Sequence, residues 1–249
     1  MATPALRPLS LGEVLDVSFG LYRSMFAPLI TVAAVCQAIP MLLAVYLGTS
    51  GSMLEHLGLS LLYFALSVIL SALGIAASTF LVSDAYLGQA TPAMVALSRA
   101  TALIGKLIAV SLLSWFLIGL GFVLLVVPGL ILLPGLVLST VVTVLEAPPG
   151  ATAAMARSWE LTGGFRNKIL LAMCVTFLLL IVPGIAIGGA AAMFGDAAGT
   201  SVGVLVLESL LQILIYPYVY VVMTVLYYDL RVRKEGFDLE LLASTLSPA

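Results

Sequence analysis

At 249 residues, 62% hydrophobic and only 9% charged, this chain is excluded from the ordinary soluble domains, where roughly a quarter of residues carry charge. A mean hydropathy of +1.22 predicts an all-α integral membrane protein with several spans in one bundle. The net charge of −2 says little in such a protein, because placement of charge matters there, and nothing in it points to nucleic acid.

The first apolar run begins only after residue 26, behind a segment with a pattern of its own, so no cleavable signal peptide is expected. In that segment Ser10 and Glu13 fit a capping box, with Leu9 and Val14 as its hydrophobic staple. The helix that follows gathers Leu11, Val14, Leu15, Ser18, Phe19 and Tyr22 on one side and turns Glu13, Asp16 and Arg23 away, as an interfacial helix does. A first span is predicted over 27–47, kinked at Pro40, and a second over 59–81, with Asp84 at its far end. Thr91-Pro92 reads as an N-cap with proline at N1, opening a second short helix that carries Arg99 and leads to Lys106. The third span is placed at 107–127, with a tight turn at Pro128-Gly129. A fourth, shorter one follows at 130–145 and ends at Glu146. A re-entrant hairpin over 107–145 fits the charges as well.

Pro148 to Lys168 is the clearest polar island. Pro-Pro-Gly stops the preceding run, and a short helix from Ala151 places Ala151, Ala154, Met155, Ser158, Leu161 and Phe165 on one face. Trp159 lies at the rim, where a membrane–water boundary suits its ring. A fifth span starts at Ile169 and bends at Pro183-Gly184, where Gly184 and Gly188 give a GxxxG spacing; a loop with Asp196 follows. The sixth span is predicted over 202–227, and 228–249 as a cytoplasmic tail. Cys36 and Cys174 both fall in apolar runs and read as small hydrophobes.

The ten basic residues lie in four places: Arg7 and Arg23; Arg99 and Lys106; Arg157, Arg166 and Lys168; and Arg231, Arg233 and Lys234. The alternate loops hold none, so six spans with both termini cytoplasmic satisfy the positive-inside rule. The expected fold is therefore six transmembrane helices with three cytoplasmic amphipathic helices, in a pseudo-threefold repeat over about 10–88, 91–147 and 149–234 within a single membrane domain, 1–249. Part of the repeat is literal: Phe122-Val-Leu-Leu-Val-Val-Pro-Gly-Leu matches Phe177-Leu-Leu-Leu-Ile-Val-Pro-Gly-Ile. Each unit ends its second span with a carboxylate, Asp84, Glu146 or Asp229, that opposes the helix dipole. A collar in which Arg23, Arg99 and Arg157 pair with these acids is one reading. Acids solvated at the headgroup level is the other.

Several of these motifs go together: Arg7-Pro-Leu-Ser-Leu-Gly-Glu13, the Pro-Gly turn, Glu146 with Ala154-Met-Ala-Arg-Ser-Trp-Glu-Leu161, and Tyr227-Tyr-Asp-Leu-Arg-Val-Arg-Lys-Glu-Gly-Phe-Asp-Leu239. In them the chain resembles the family named for the membrane domain of glycerophosphoryl diester phosphodiesterases. The resemblance covers nearly the whole length and implies a stand-alone bacterial inner-membrane protein. The soluble phosphodiesterase domain fused to some members has no counterpart here, so no activity is implied.

Chemistry is sparse. The one histidine, His56, sits beside Glu55 in a short loop, and no phosphate loop, metal cluster or nucleophile elbow is legible, so neither an enzyme nor a cofactor is expected. Polar groups inside the spans are better candidates, since buried polarity in lipid faces protein or a cavity. Gln37 lies mid-way along the first span. Glu208 and Gln212 share a face of the sixth, followed by Tyr216, Tyr218 and Tyr220 around Pro217. These six residues line a cavity for a lipid or small amphiphile, or else the amides bond between helices and Glu208 hydrates near the outer end. Function then divides between a scaffold or accessory subunit, packing on other membrane proteins or on itself, and lipid or amphiphile binding or transport.

Overall fold

The computed structural model describes residues 7–50, 55–86, 88–193 and 201–236; the loop with Asp196 and the tail beyond Gly236 lie outside them. The described residues form helices α1 (Leu11–Ser24), α2 (Phe26–Ser50), α3 (Leu57–Tyr86), α4 (Ala93–Thr101), α5 (Ile104–Leu124), α6 (Val126–Leu136), α7 (Ser139–Leu145), α8 (Ala151–Thr162), α9 (Arg166–Met193) and α10 (Val202–Glu235), with no strand among them. Six segments are long and apolar enough to cross a membrane: α2, α3, α5, α6 with α7, α9 and α10. The region 107–145 is thus two lengths of 21 and 20 residues, each about 30 Å at 1.5 Å per residue.

Local chemistry explains the ends. Ser10 and Glu13 close the capping box of α1: the Glu13 N–H donates to Ser10 Oγ at 3.3 Å, and the Ser10 N–H to Glu13 Oε2 at 2.7 Å. That backbone bond, with Arg7 beside it, holds the Glu13 carboxyl down at about 2. α4 starts one residue later than expected. Pro92 is its N-cap, because the Thr91 hydroxyl is taken by Asp84 Oδ2 at 2.6 Å. α10 does not stop at Tyr227 but runs on to Glu235, where Gly236 (φ 62) supplies the left-handed cap. The i,i+4 pairs Asp229–Arg233 and Arg231–Glu235 support that extension.

The turn after α5 also differs from expectation. The chain reverses at the extended Leu125 (φ −163, ψ 146), and Pro128-Gly129 falls inside the first turn of α6, where a missing N–H leaves nothing unpaired. Gly121 makes the reversal possible: a Cβ there would lie 3.1 Å from the Gly129 backbone and 2.8 Å from Leu132 Cδ1. In the matching copy of the motif the residue at this position is Thr176, whose hydroxyl donates to Ala172 O at 3.0 Å, and α9 continues unbroken through Pro183. Two nonapeptides that differ only by Val, Leu and Ile exchanges therefore turn in one copy and run straight in the other. Gly121→Ala is expected to lower stability by about 1–3 kcal/mol, the usual cost of overpacking a tight contact, in a mixed-micelle unfolding titration. An unchanged midpoint would remove the close approach from this explanation.

The fourth span is broken between Leu136 and Ser139, and the break is used. Gly135 O accepts the Ser158 hydroxyl at 2.8 Å, while the Trp159 ring lies where a Cβ on Gly135 would be, 2.5 Å away. α8 thus docks on the break through Ala154, Met155, Ser158, Leu161 and Thr162, all buried.

Packing is lopsided along the bundle. Residues 76–84 of α3 and 221–230 of α10 are buried all round, the mark of a central helix, and both lie at the end that carries the acids. Towards the other end large side chains face outward: Leu42, Tyr46, Leu61 and Phe64 on α2 and α3, Ile185 and Met193 on α9, and Leu207 and Leu210 on α10.

Candidate functional site

The intramembrane polar residues separate into two groups. Gln37 Nε2 donates to Gln212 Oε1 at 2.9 Å, joining α2 to α10. Around this bond Gln37, Ser71, Gly74, Gln212, Tyr216 and Tyr220 help line a cavity of about 40 Å³. That is room for water and far below the several hundred Å³ of an ordinary ligand pocket. Tyr218 and Glu208, expected beside them, are elsewhere. Tyr218 points to α1, where its hydroxyl donates to Leu15 O at 3.3 Å and its ring meets Tyr22 edge-on at 5.8 Å. Glu208, one turn beyond Gln212, is not part of the lining. Two residues along a helix turn a side chain by about 200°, so Tyr218 faces away from the wall that Tyr216 and Tyr220, four apart, share.

A larger cavity lies next to it. About 500 Å³ of space separates α5 from α9, floored by α3, α7 and α10. Its walls are mostly Leu, Ile, Val and Met, with the hydroxyl-bearing residues Thr79, Ser111, Ser114, Thr140 and Thr176 among them. The mouth is flanked by Trp115 (69% exposed) on α5 and by Cys174 and Phe177 on α9, so the space opens sideways between two spans. Tyr220 lines both cavities and is the wall between them. This cavity has no local signature in the sequence, because its hydroxyl-bearing residues are spread over α3, α5, α7 and α9 and each reads as ordinary helix packing. The signal that could have found it is the pair Ser111 and Ser114, i,i+3 on one face of α5.

At the charged end three clusters tie the helices together. Asp84 accepts from Arg99 and Thr91, each at 2.6 Å, and Arg99 lies 4.0 Å over the Phe80 ring. Glu146 takes Arg157 through Nε at 2.8 Å and Nη2 at 3.2 Å and accepts the Tyr227 hydroxyl at 2.9 Å; Arg157 also reaches Glu235. The third acid does not meet Arg23. Asp229, whose side chain is 0% exposed, takes Lys168 at 2.6 Å and Arg233 at 3.1 Å, and accepts the Leu9 N–H at 2.7 Å. Lys168 and Arg233 in turn donate to Leu9 O, each at 2.6 Å. The reason is position: Lys168 is in the first turn of α9 beside α10, whereas Arg23 ends α1, where a cation already complements the helix dipole. These groups are mutually paired, so the clusters act as fasteners, the last one holding the chain at Leu9 to α9 and α10. Among the described residues no three His, Cys, Asp or Glu side chains come together to hold a metal ion.

Fold and cavity together define a multi-pass helical membrane protein with an apolar, laterally open chamber. Comparison with protein families, with curated proteins and with solved structures finds no match for the chain.

Proposed function

We propose that this is a non-enzymatic bacterial inner-membrane protein that binds the hydrophobic chain of a lipid or small amphiphile between α5 and α9. The observation that carries the reading is the cavity of about 500 Å³, apolar, rimmed by Trp115 and Phe177 and open to the side. Its size is that of ordinary small-molecule sites, and a side opening between spans admits molecules already dissolved in the bilayer. Both termini are cytoplasmic in this proposal, supported by the four basic clusters at one side of the six spans. α1, α4 and α8 are its interfacial amphipathic helices; the Trp159 ring under Arg166, 3.6 Å away, suits a headgroup-level position. The order short helix, span, span recurs three times and supports the repeat. The motif from Tyr227 onward supports the resemblance to the phosphodiesterase membrane-domain family.

A scaffold function has its own support in Gly184 and Gly188, over which open space remains within the chain, as a contact for a second membrane protein or a second copy would require. Native mass spectrometry of the full chain in mild detergent separates the two. A retained lipid-sized adduct, lost when Ser114→Phe fills the cavity, is the expected result. A protein adduct with no lipid dependence would favour the scaffold.

A further inference from the structure

Thr79 and Thr176, which also line the large cavity, turn their hydroxyls back to the carbonyls of Ile75 and Ala172, at 2.9 and 3.0 Å, as helical hydroxyls in apolar surroundings do. Ser114 does not. Its side chain is on the cavity wall, the residue is 8% exposed, and its Oγ is buried without a hydrogen-bond partner among the described residues. The Oγ atoms of Ser18, Ser67 and Ser139 are likewise buried without a partner among the described residues, but of the four only Ser114 lines this cavity. A hydroxyl left unpaired in an apolar medium is costly, so a group that enters the cavity and accepts from it gains a bond that water does not contest.

Depth and charge restrict what that group can be. Ser114 lies ten residues into α5, about 15 Å from its start and so near the middle of a ~30 Å hydrocarbon core. The ester oxygens of a resident phospholipid stay at the edge of that core, and at this depth its tails present only methylene groups. Among the described residues the cavity lining contains no Arg, Lys, His, Asp or Glu, so an ionised group would enter without a counter-charge. We infer that the cavity takes a neutral, lipid-soluble amphiphile whose carbonyl, ether or hydroxyl oxygen meets the Ser114 hydroxyl at mid-bilayer depth. This rests on the reading of the cavity as a chain-binding site and adds the ligand's class.

The test uses the full chain in phosphatidylcholine nanodiscs loaded with one of three probes: heptadecane, 9-heptadecanone, which adds a mid-chain carbonyl to the same chain, or palmitate. Retention is read by native mass spectrometry. The wild type is expected to hold the ketone about threefold to tenfold better than the alkane, the range of one net hydrogen bond. Palmitate should be retained no better than the alkane. Ser114→Ala removes the ketone's advantage while keeping heptadecane, and Ser114→Cys, of similar volume and with a weaker donor, falls between. Equal retention of ketone and alkane by wild type and Ser114→Ala overturns the inference and leaves an apolar chain site. Preference for palmitate overturns the neutral class. Retention of no probe, with Ser114→Phe indistinguishable from wild type, overturns the chain-binding reading itself.

Discussion

Replacing Asp229 by alanine is expected to be the most damaging single change at the charged end, lowering stability by about 3–5 kcal/mol, the range for breaking a buried ion pair from one side. The side chain is wholly buried and serves Lys168, Arg233 and the Leu9 N–H at once, so its removal leaves two cations without their counter-charge and a backbone donor without an acceptor. Asp229→Asn keeps the volume and an acceptor for Leu9 but not the charge, and should lie between alanine and wild type. Asp84→Ala should cost less, about 1–2 kcal/mol, because its partner Arg99 is 44% exposed and can be rehydrated. Unfolding in mixed micelles reads all three. Equal effects at Asp229 and Asp84, or none at Asp229, would mean that these acids are solvated rather than fastened.

Ser114→Phe is expected to have the opposite sign on the isolated protein. A large residue placed in a packed core usually costs about 1–3 kcal/mol, but here the added ring enters open space of about 500 Å³ between α5 and α9. Delipidated protein should therefore be stabilised by about 0.5–2 kcal/mol, as with other cavity-filling changes, and should no longer gain stability when lipid is added back. Wild type should gain stability from the same lipid. A variant that is destabilised without lipid would show that the chamber is closed by repacking when the protein is free.

Much of the fold was legible because bilayer thickness imposes length. All six spans follow from apolar runs, and the start of α1 follows from Ser10 and Glu13, whose capping chemistry is local. The errors came where long-range contacts overrule local signals. Pro128-Gly129 has the composition of a turn, yet the reversal is at Leu125, since Gly121 and Gly129 meet across two helices. Thr91 has the look of an N-cap, but Asp84 takes its hydroxyl. The acids Asp84, Glu146 and Asp229 were legible as points needing cations; Arg233 reaches Asp229 at i,i+4, a spacing present in the sequence, whereas Lys168 reaches it through the packing of α9 beside α10, which no spacing encodes. The candidate site was the least legible part. Four of the six polar residues picked out from the sequence do gather, but around the small chamber, and the large one is built from residues that look like any span.

The central claim, that a lipid-like chain occupies the space between α5 and α9, is tested most directly at Met223. This residue lines the cavity and is only 8% exposed, whereas Met193, at the far end of α9, is 88% exposed. In nanodiscs, with methyl-labelled methionines, Met193 should show NOE cross-peaks to aliphatic lipid protons simply by facing the bilayer. An occupied cavity predicts such cross-peaks at Met223 as well, and their loss in Ser114→Phe. Cross-peaks at Met193 with none at Met223 would contradict it.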